Sequence, residues 1–307
     1  MKILVTPRSF AKHDPKPLEI LLERGFEMVQ NPYQRPLVEE EIAELIKDVD
    51  GVIIGVDPLT RNVLEKAENL KAISKYGVGV DNIDLDYAKE RGIKVSRTVG
   101  ANFNAVADFT VCLMLAVARK INVIDRECRR NNWNKIMTME IYGKTLGVVG
   151  AGNIGKGVIK RSKGFDMNIL AYDVYPDEKF AKEYGVKYVS LEELYKNADV
   201  ISLHVPLTED TYKMIGKREL HMMKKNAILI NTARGGLIDE EALYEALKEN
   251  VIYGAGIDVF EHEPPTNKKL FELDNIIISS HNGASTYEAV DNMGLMAVDN
   301  LIKDLSD

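Results

Sequence analysis

Tryptophan occurs once in this chain of 307 residues, cysteine twice and histidine five times, and no apolar run approaches a membrane span. Each scarcity removes a class of protein. Two cysteines cannot build a disulfide framework, and Cys112 and Cys128, 16 positions apart in one helical stretch, lack metal-ligand spacing. They read as packing thiols in a reducing compartment, and no metal site is expected. A bilayer span needs about 20 apolar residues, so no transmembrane helix is expected. Met1-Lys2-Ile3-Leu4-Val5 leads straight into a strand without a signal-peptide pattern, which predicts a cytoplasmic protein. Basic residues number 40 against 47 acidic, and the net charge of −7 argues against nucleic acid or an anionic membrane as partner. Internal repeats, low-complexity tracts and a disordered tail are missing too.

What is present is an ordinary globular composition, 45% hydrophobic and 28% charged, in a chain long enough for two domains. Strand and helix patterns alternate nearly throughout, which predicts parallel sheets covered by helices. Before residue 100 the expected strands are Lys2–Thr6, Phe26–Gln30, Val52–Gly55, Leu70–Lys75 and Ile93–Ser96. Helices are expected at Leu18–Arg24, Glu39–Lys47, Thr60–Ala67 and Leu85–Glu90. A long amphipathic stretch, Ala105–Arg130, reads as one helix bridging two domains. Further strands are expected at Lys144–Val149, Asn168–Tyr172, Val200–His204, Ala227–Asn231, Gly254–Val259 and Asn275–Ser279. Most are continuous apolar runs, the pattern of central strands buried on both faces. Ser285-Thr286-Tyr287-Glu288 has the form of a capping box and predicts a terminal helix over 286–304.

The most informative stretch is Gly147-Val148-Val149-Gly150-Ala151-Gly152-Asn153-Ile154-Gly155. An apolar strand breaks into glycines at G-x-G-x-x-G spacing and opens a helix. Gly150 makes the tight turn, Gly152 leaves room for a pyrophosphate, and Gly155 lets the helix pack closely. Asp173 ends the next strand, 18 positions after Gly155. A carboxylate there accepts from ribose hydroxyls and repels a 2′-phosphate, which favours NAD over NADP. The motif begins in mid-chain, so a full α/β domain precedes it, and a pocket between the two domains is the expected place for chemistry.

Three further segments follow predicted strand ends. In Asn231-Thr232-Ala233-Arg234-Gly235-Gly236, an arginine before two glycines can project a fork that binds a carboxylate bidentately. On this feature alone, a surface arginine on a turn reads equally well. In Gly256–Pro265, Asp258 continues the strand, reads as partly buried and needs a partner; a nicotinamide carboxamide suits it. Glu263 precedes Pro264, which biases it toward an extended conformation, whereas Glu261 and His262 read as solvated loop. In Ser279-Ser280-His281-Asn282-Gly283, a histidine beyond a strand can take and return a proton near neutral pH. His204 ends a strand before Pro206 and is expected to line the cofactor cleft; His13 and His221 read as surface residues.

These segments resemble the D-isomer-specific 2-hydroxyacid dehydrogenases, and within them the D-3-phosphoglycerate dehydrogenases. Lys75-Tyr76-Gly77-Val78-Gly79-Val80-Asp81-Asn82-Ile83-Asp84 and Asn104-Ala105-Val106-Ala107-Asp108 extend the resemblance over nearly the whole chain. It implies two doubly wound parallel-sheet domains, a Rossmann NAD-binding domain (101–284) inserted into a flavodoxin-like substrate domain (1–100 plus 285–307). It implies Arg234, Glu263 and His281 as the catalytic set, with Arg234 on the substrate carboxylate, His281 as acid/base and Glu263 paired with it. Gly150, Gly152, Asn153, Ile154, Gly155, Asp173, His204, Pro206, Thr232, Ala233, Asp258, His281 and Gly283 would meet the cofactor. Val78, Gly79 and Asn102 would join Arg234 at the substrate, a small 2-hydroxy or 2-keto acid. A homodimer through the nucleotide-binding domains is implied. Phosphoglycerate-specific members carry basic residues after the third strand; here that loop reads Gly55-Val56-Asp57-Pro58-Leu59-Thr60-Arg61, where Asp57 would repel a phosphate if it faced the site. Glyoxylate, hydroxypyruvate and larger 2-keto acids stay open beside 3-phosphohydroxypyruvate. Ending at residue 307, the chain is expected to lack a serine-sensing regulatory domain. An NAD-sensing corepressor on the same fold is the alternative from another class.

Overall fold

In the computed structural model, residues 1–33, 35–266 and 268–306 are described; Gln34, Asn267 and Asp307 lie outside the described residues. The chain divides into two compact units, Met1–Asn102 with the stretch from Ala284 onward, and Phe103–Gly283. The second unit is therefore an insertion between two parts of the first.

The first unit contains β1 (Lys2–Val5), α1 (Lys16–Glu23), β2 (Glu27–Gln30), α2 (Glu39–Leu45), β3 (Gly51–Ile54), α3 (Arg61–Lys66), β4 (Ala72–Lys75), α4 (Leu85–Glu90) and β5 (Lys94–Arg97). Its sheet is wholly parallel with order β2-β1-β3-β4-β5. Successive strand residues feed opposite faces. Leu4, Val52, Ile54 and Ile73 belong to one core, and Ile3, Val5, Ile53 and Ala72 to the other. That division is why these strands read as unbroken apolar runs, each fully buried side chain contributing about 1.5–3 kcal/mol.

The second unit contains α5 (Phe103–Ala118), α6 (Ile121–Arg129), β6 (Thr145–Val149), α7 (Asn153–Ser162), β7 (Asn168–Tyr172), α8 (Glu178–Tyr184), β8 (Val186–Tyr188), α9 (Leu191–Asn197), β9 (Val200–Leu203), α10 (Lys217–Met222), β10 (Ile228–Asn231), α11 (Glu240–Lys248), β11 (Gly254–Ile257) and β12 (Ile276–Ile278). Its parallel sheet has order β12-β11-β10-β9-β6-β7-β8, so the chain reverses its direction of travel between β6 and β9. Ligands of open parallel sheets bind outside the carboxyl ends of the strands at such a reversal. The final helix, α12 (Tyr287–Ser306), returns to the first unit. Its Met293, Ala297, Val298 and Leu301 complete the core under Ile3 and Ile53.

Several expectations are corrected. The single helix over Ala105–Arg130 is two, broken where Lys120 adopts a left-handed φ of 48°. α5 is mostly buried whereas α6 buries no residue, so no continuous apolar stripe runs through the break. Cys112, read as a packing thiol, is exposed, while Cys128 is half-buried. Asp108 and Cys112 lie one turn apart on the same outward stripe of α5. The terminal helix is capped by Thr286, whose hydroxyl accepts from Ala289 N–H at 3.1 Å, rather than by Ser285. β8 was not expected: it is a three-residue edge strand, too short for a periodic signal. Among the described residues no helix is long and apolar enough to cross a membrane.

Candidate active site

The glycine motif sits at the β6–β9 reversal. Gly150 turns with φ +94°, and a methyl group on it would lie 2.7 Å from the His204 carbonyl oxygen. A side chain on Gly155 would lie 2.1 Å from the Gly150 carbonyl oxygen, so α7 can start this close to β6 only with glycine there. A Cβ on Gly152 would meet nothing within 4 Å. The turn is therefore open just before α7, where helix N–H groups and the helix dipole favour a phosphate. Asn153 is exposed and Ile154 half-buried at that helix start. Asp173 is pinned beside the turn: its carboxylate accepts from Ala151 N–H at 2.7 Å and Tyr175 N–H at 2.9 Å. Each oxygen keeps a lone pair for a ribose hydroxyl. These residues fit an NAD dinucleotide.

His204 closes the other side of the reversal. Its N–H donates to the Val149 carbonyl at 2.7 Å, and its ring Nε2 lies 2.8 Å from the buried Ser202 hydroxyl. Burial pushes the imidazole down to about 3, so His204 is neutral at physiological pH. Pro206 is exposed two residues on.

Arg234 follows β10. Buried Asn231 folds the strand exit over, accepting from Ala233 N–H at 3.0 Å and donating to the Arg234 carbonyl at 2.7 Å. Thr232, also buried, shares a hydrogen bond with Thr110 of α5 at 2.8 Å. Ala233 and Arg234 are half-buried, and the guanidinium donates to the Ala233 carbonyl at 2.6 Å. Gly235 is where this segment crosses the one after β11: a methyl there would lie 1.9 Å from the Phe260 carbonyl carbon. Three residues beyond Phe260 stands Glu263.

The strand register explains how His281 is held. Ile257 pairs with Ile278, so Asp258 and Ser279 leave β11 and β12 side by side. Asp258 is 1% exposed and accepts three hydrogen bonds, from the Ser279 hydroxyl at 2.6 Å, Asn282 N–H at 2.7 Å and Gly283 N–H at 2.9 Å. The partner this buried acid needs is thus the histidine loop itself. His281 N–H adds a bond to the Asp258 carbonyl at 2.8 Å, and together these fix His281 at a left-handed φ of 53°. A non-glycine residue there costs roughly 1–2 kcal/mol, which the surrounding bonds offset.

His281 Nδ1 lies 2.9 Å from Glu263 Oε2, with both side chains about 40% exposed, at 40% and 37%. A carboxylate only accepts, so Nδ1 donates and Nε2 is the ring nitrogen left for other work. The other Glu263 oxygen accepts from Phe260 N–H at 3.1 Å. Burial pushes the Glu263 carboxyl up, but the bond and charge of His281, the Phe260 N–H and the charge of Arg234 outweigh it and hold the group below its ordinary value. The charges of Arg234 and His281 therefore both bear on Glu263.

In the first unit, Val78 and Gly79 lie on the turn after β4, opened by Gly77 at φ +139°. Their N–H groups make no backbone hydrogen bond among the described residues. Asn102 is the last residue before the chain leaves this unit. Asp57 corrects the reading of its loop: it is 2% exposed and bonds inward to the Thr6 hydroxyl and to Leu37 N–H at 2.7 Å. Its charge does not face solvent, and the repulsion of a phosphate expected from it falls away. Sequence reasoning missed the roles of Gly235, Ser202 and Ser279. For Ser279 a signal existed, because a buried acid at one strand end demands donors at the next.

The D-isomer-specific 2-hydroxyacid dehydrogenase NAD-binding domain matches residues 111–283. The chain is 49% identical over 271 residues to a D-3-phosphoglycerate dehydrogenase from Methanocaldococcus jannaschii, covering 87% of this chain but 52% of that protein. It thus spans about half the length of that relative. A glyoxylate reductase from Korarchaeum cryptofilum is 42% identical over 295 residues, covering 91% of this chain and 89% of the relative. Among solved structures, a D-lactate dehydrogenase from Aquifex aeolicus complexed with NAD and lactic acid superposes with a TM-score of 0.86 at 34% identity, covering 98% of this chain and 94% of its own.

Proposed function

The chain belongs to the family of NAD-dependent, D-isomer-specific 2-hydroxyacid dehydrogenases, and from that premise we propose that it interconverts a D-2-hydroxy acid and its 2-keto acid using Arg234, Glu263 and His281. The observation that carries this reading is the 2.9 Å bond between His281 and Glu263, with the charge of Arg234 bearing on the same carboxylate.

NAD(H), when bound, supplies or accepts the hydride at the substrate's second carbon. The protein does the rest. Arg234 binds the substrate carboxylate with its planar fork and orients the adjoining carbonyl. His281 hydrogen-bonds the carbonyl oxygen through Nε2 and delivers its proton as negative charge develops there. Glu263 accepts from Nδ1 and so fixes the tautomer that leaves Nε2 toward the substrate. Asp258 keeps the histidine loop in place from below.

For the cofactor, Gly150, Gly152, Asn153, Ile154 and Gly155 would receive the pyrophosphate and Asp173 the adenosine ribose. His204, Pro206, Thr232, Ala233 and Gly283 would face the nicotinamide half, while buried Asp258 acts through the histidine loop. The first unit would serve the substrate, with Val78 and Gly79 N–H groups as anion donors and Asn102 beside them. Substrates in keeping with the relatives' names are 3-phosphohydroxypyruvate, glyoxylate and hydroxypyruvate. A cytoplasmic homodimer is part of this reading. The second unit leaves Trp133, Met137 and Tyr142 exposed at 78%, 88% and 66% between α6 and β6, a segment suited to a second copy.

NADH oxidation measured over a panel of 2-keto acids tests the proposal. Turnover is expected with at least one of them, and His281→Ala should abolish it while NADH still binds. An active His281→Ala enzyme refutes the assignment; NADH binding without turnover on any acid favours an NAD-sensing binding protein instead.

A further inference from the structure

We propose that Thr98 is a positioning residue for the substrate. Its buried hydroxyl clamps the Gly77–Val78 peptide so that the Val78 N–H faces outward as a donor to the substrate carboxylate. The inference rests on the dehydrogenase reading above, in which Val78 and Gly79 meet the acid group, and it names the residue that aims that donor.

The register of the first sheet brings the two segments together. Lys75 at the end of β4 pairs with Arg97 at the end of β5, so Tyr76-Gly77 and Thr98 leave the sheet side by side. Tyr76 N–H still bonds back to the Ile54 carbonyl of β3 at 2.9 Å. The turn begins at Gly77, whose φ of +139° is open to glycine and closed to residues with a side chain.

Thr98 is fully buried, and a buried hydroxyl needs partners. Both of its hydroxyl partners among the described residues belong to Gly77. The hydroxyl accepts from Gly77 N–H at 2.8 Å and donates to the Gly77 carbonyl at 3.2 Å. Thr98 N–H adds a bond to the same carbonyl at 3.0 Å. Two donors thus draw that carbonyl toward the exit of β5.

Peptide geometry carries the hold forward. In a planar trans peptide the carbonyl and the following N–H point in opposite directions. A Gly77 carbonyl drawn toward Thr98 therefore turns the Val78 N–H to the other side, away from β5. Val78 is 37% exposed, and its N–H makes no hydrogen bond among the described residues. The far end of the turn is anchored as well. Asn82 Oδ1 accepts from the Lys75 ammonium at 2.7 Å, and Asn82 Nδ2 donates to the carbonyls of Gly55 at 3.1 Å and Asp57 at 2.5 Å. With that end fixed, the Thr98 hydroxyl governs the tilt of the peptide that carries the donor.

The test is steady-state reduction of glyoxylate, hydroxypyruvate and 3-phosphohydroxypyruvate, with NADH titration beside it, in the natural protein, Thr98→Val and Thr98→Ser. The substrate carboxylate keeps its charge throughout reduction, so its donor serves bound substrate and transition state alike and the loss falls on KM. Thr98→Val keeps the shape and the N–H but not the hydroxyl; it should raise KM about 10-fold for the acids turned over, with kcat and NADH affinity nearly unchanged. Thr98→Ser keeps the hydroxyl and should restore most of the loss. Gly77→Ala disturbs the same peptide from its own side, should also raise KM, and decides the matter if Thr98→Val does not fold. An unchanged KM in a folded Thr98→Val or Gly77→Ala protein, or a Thr98→Ser protein no better than Thr98→Val, overturns the role of Thr98 and leaves the dehydrogenase standing. Failure of the natural protein to reduce any keto acid overturns both.

Discussion

Replacing Gly235 with alanine tests whether the crossing of two loops sets the geometry of the proposed catalytic residues. Gly235 has no left-handed backbone to satisfy, so space is its sole demand. The added methyl would stand 1.9 Å from the Phe260 carbonyl carbon, 2.2 Å from its oxygen and 2.3 Å from the Glu261 nitrogen. All three are main-chain atoms and cannot rotate away. Restoring an ordinary separation of about 3.5 Å needs the two segments to part by about 1.6 Å. Arg234 is attached to one segment and Glu263 to the other, so the parting is transmitted to both. Overpacking of this kind costs roughly 1–3 kcal/mol, or about 2–12 °C in the unfolding midpoint. A displacement near 1 Å of a positioning group costs on the order of 100-fold in rate. NADH affinity should change less, because Gly150–Gly155 and Asp173 lie on other strands. Gly236→Ala is the control: the atoms nearest its methyl would be the two methyl ends of Leu207 at 3.2 Å and the Tyr212 ring at 3.4 Å, side-chain atoms that can yield. Thermal unfolding, NADH titration and steady-state kinetics of both variants decide the matter. A Gly235→Ala protein with natural stability and natural kcat/KM would show that the crossing does not position Arg234 and Glu263.

Three further outcomes are expected. Asp173→Ala should narrow the preference for NADH over NADPH by removing the carboxylate that repels a 2′-phosphate; unchanged discrimination in paired kinetics counts against that role. His204 is held down to about 3, against 6.5 when unfolded, so between those values the unfolded chain binds the extra proton and stability falls as pH falls. From pH 6.5 to 4.5 the ceiling is about 2.7 kcal/mol, and the residue's partial contact with solvent keeps the loss below it. Urea unfolding of His204→Gln should lack this part of the acid sensitivity, and identical acid losses would refute it. Trp133→Ala should shift a dimer toward monomer in sedimentation without lowering the unfolding temperature of the isolated unit, since 78% of that residue is exposed; an unchanged mass rules out its place in the interface.

Much of the architecture was legible because it is written in local pattern. Strands buried on both faces leave apolar runs, and β6, β9 and β10 appear within a residue or two of their expected ends. The glycine turn was legible because each glycine answers a separate steric demand. What stayed hidden is what depends on neighbours remote in sequence. Nothing near Gly235 announces that Phe260 passes within contact of it. Asp57 reads as a loop acid until Thr6 and Leu37, from other elements, are seen to enclose it. Asp258 reads as an acid awaiting a ligand until the β11–β12 register brings Ser279, Asn282 and Gly283 to its oxygens. The break after α5 was hidden because Lys120 is an ordinary helix former, and the helix stops where burial stops.

The return of α12 to the first unit has a consequence for synthesis. On the ribosome, β1 to β5 emerge first, yet the helix that completes the core over Ile3, Val5 and Ile53 appears only after the second unit. About 200 residues separate Asn102 from the end of that helix, roughly 10–40 s of elongation at 5–20 residues per second. The second unit is complete at Gly283 and can fold within that interval, ahead of the sheet that was made before it. The core of the first unit can close only after the whole second unit has been synthesised. Until then the apolar face of its earliest strands is covered only in part, by Phe10 and by Leu18, Ile20 and Leu21 of α1.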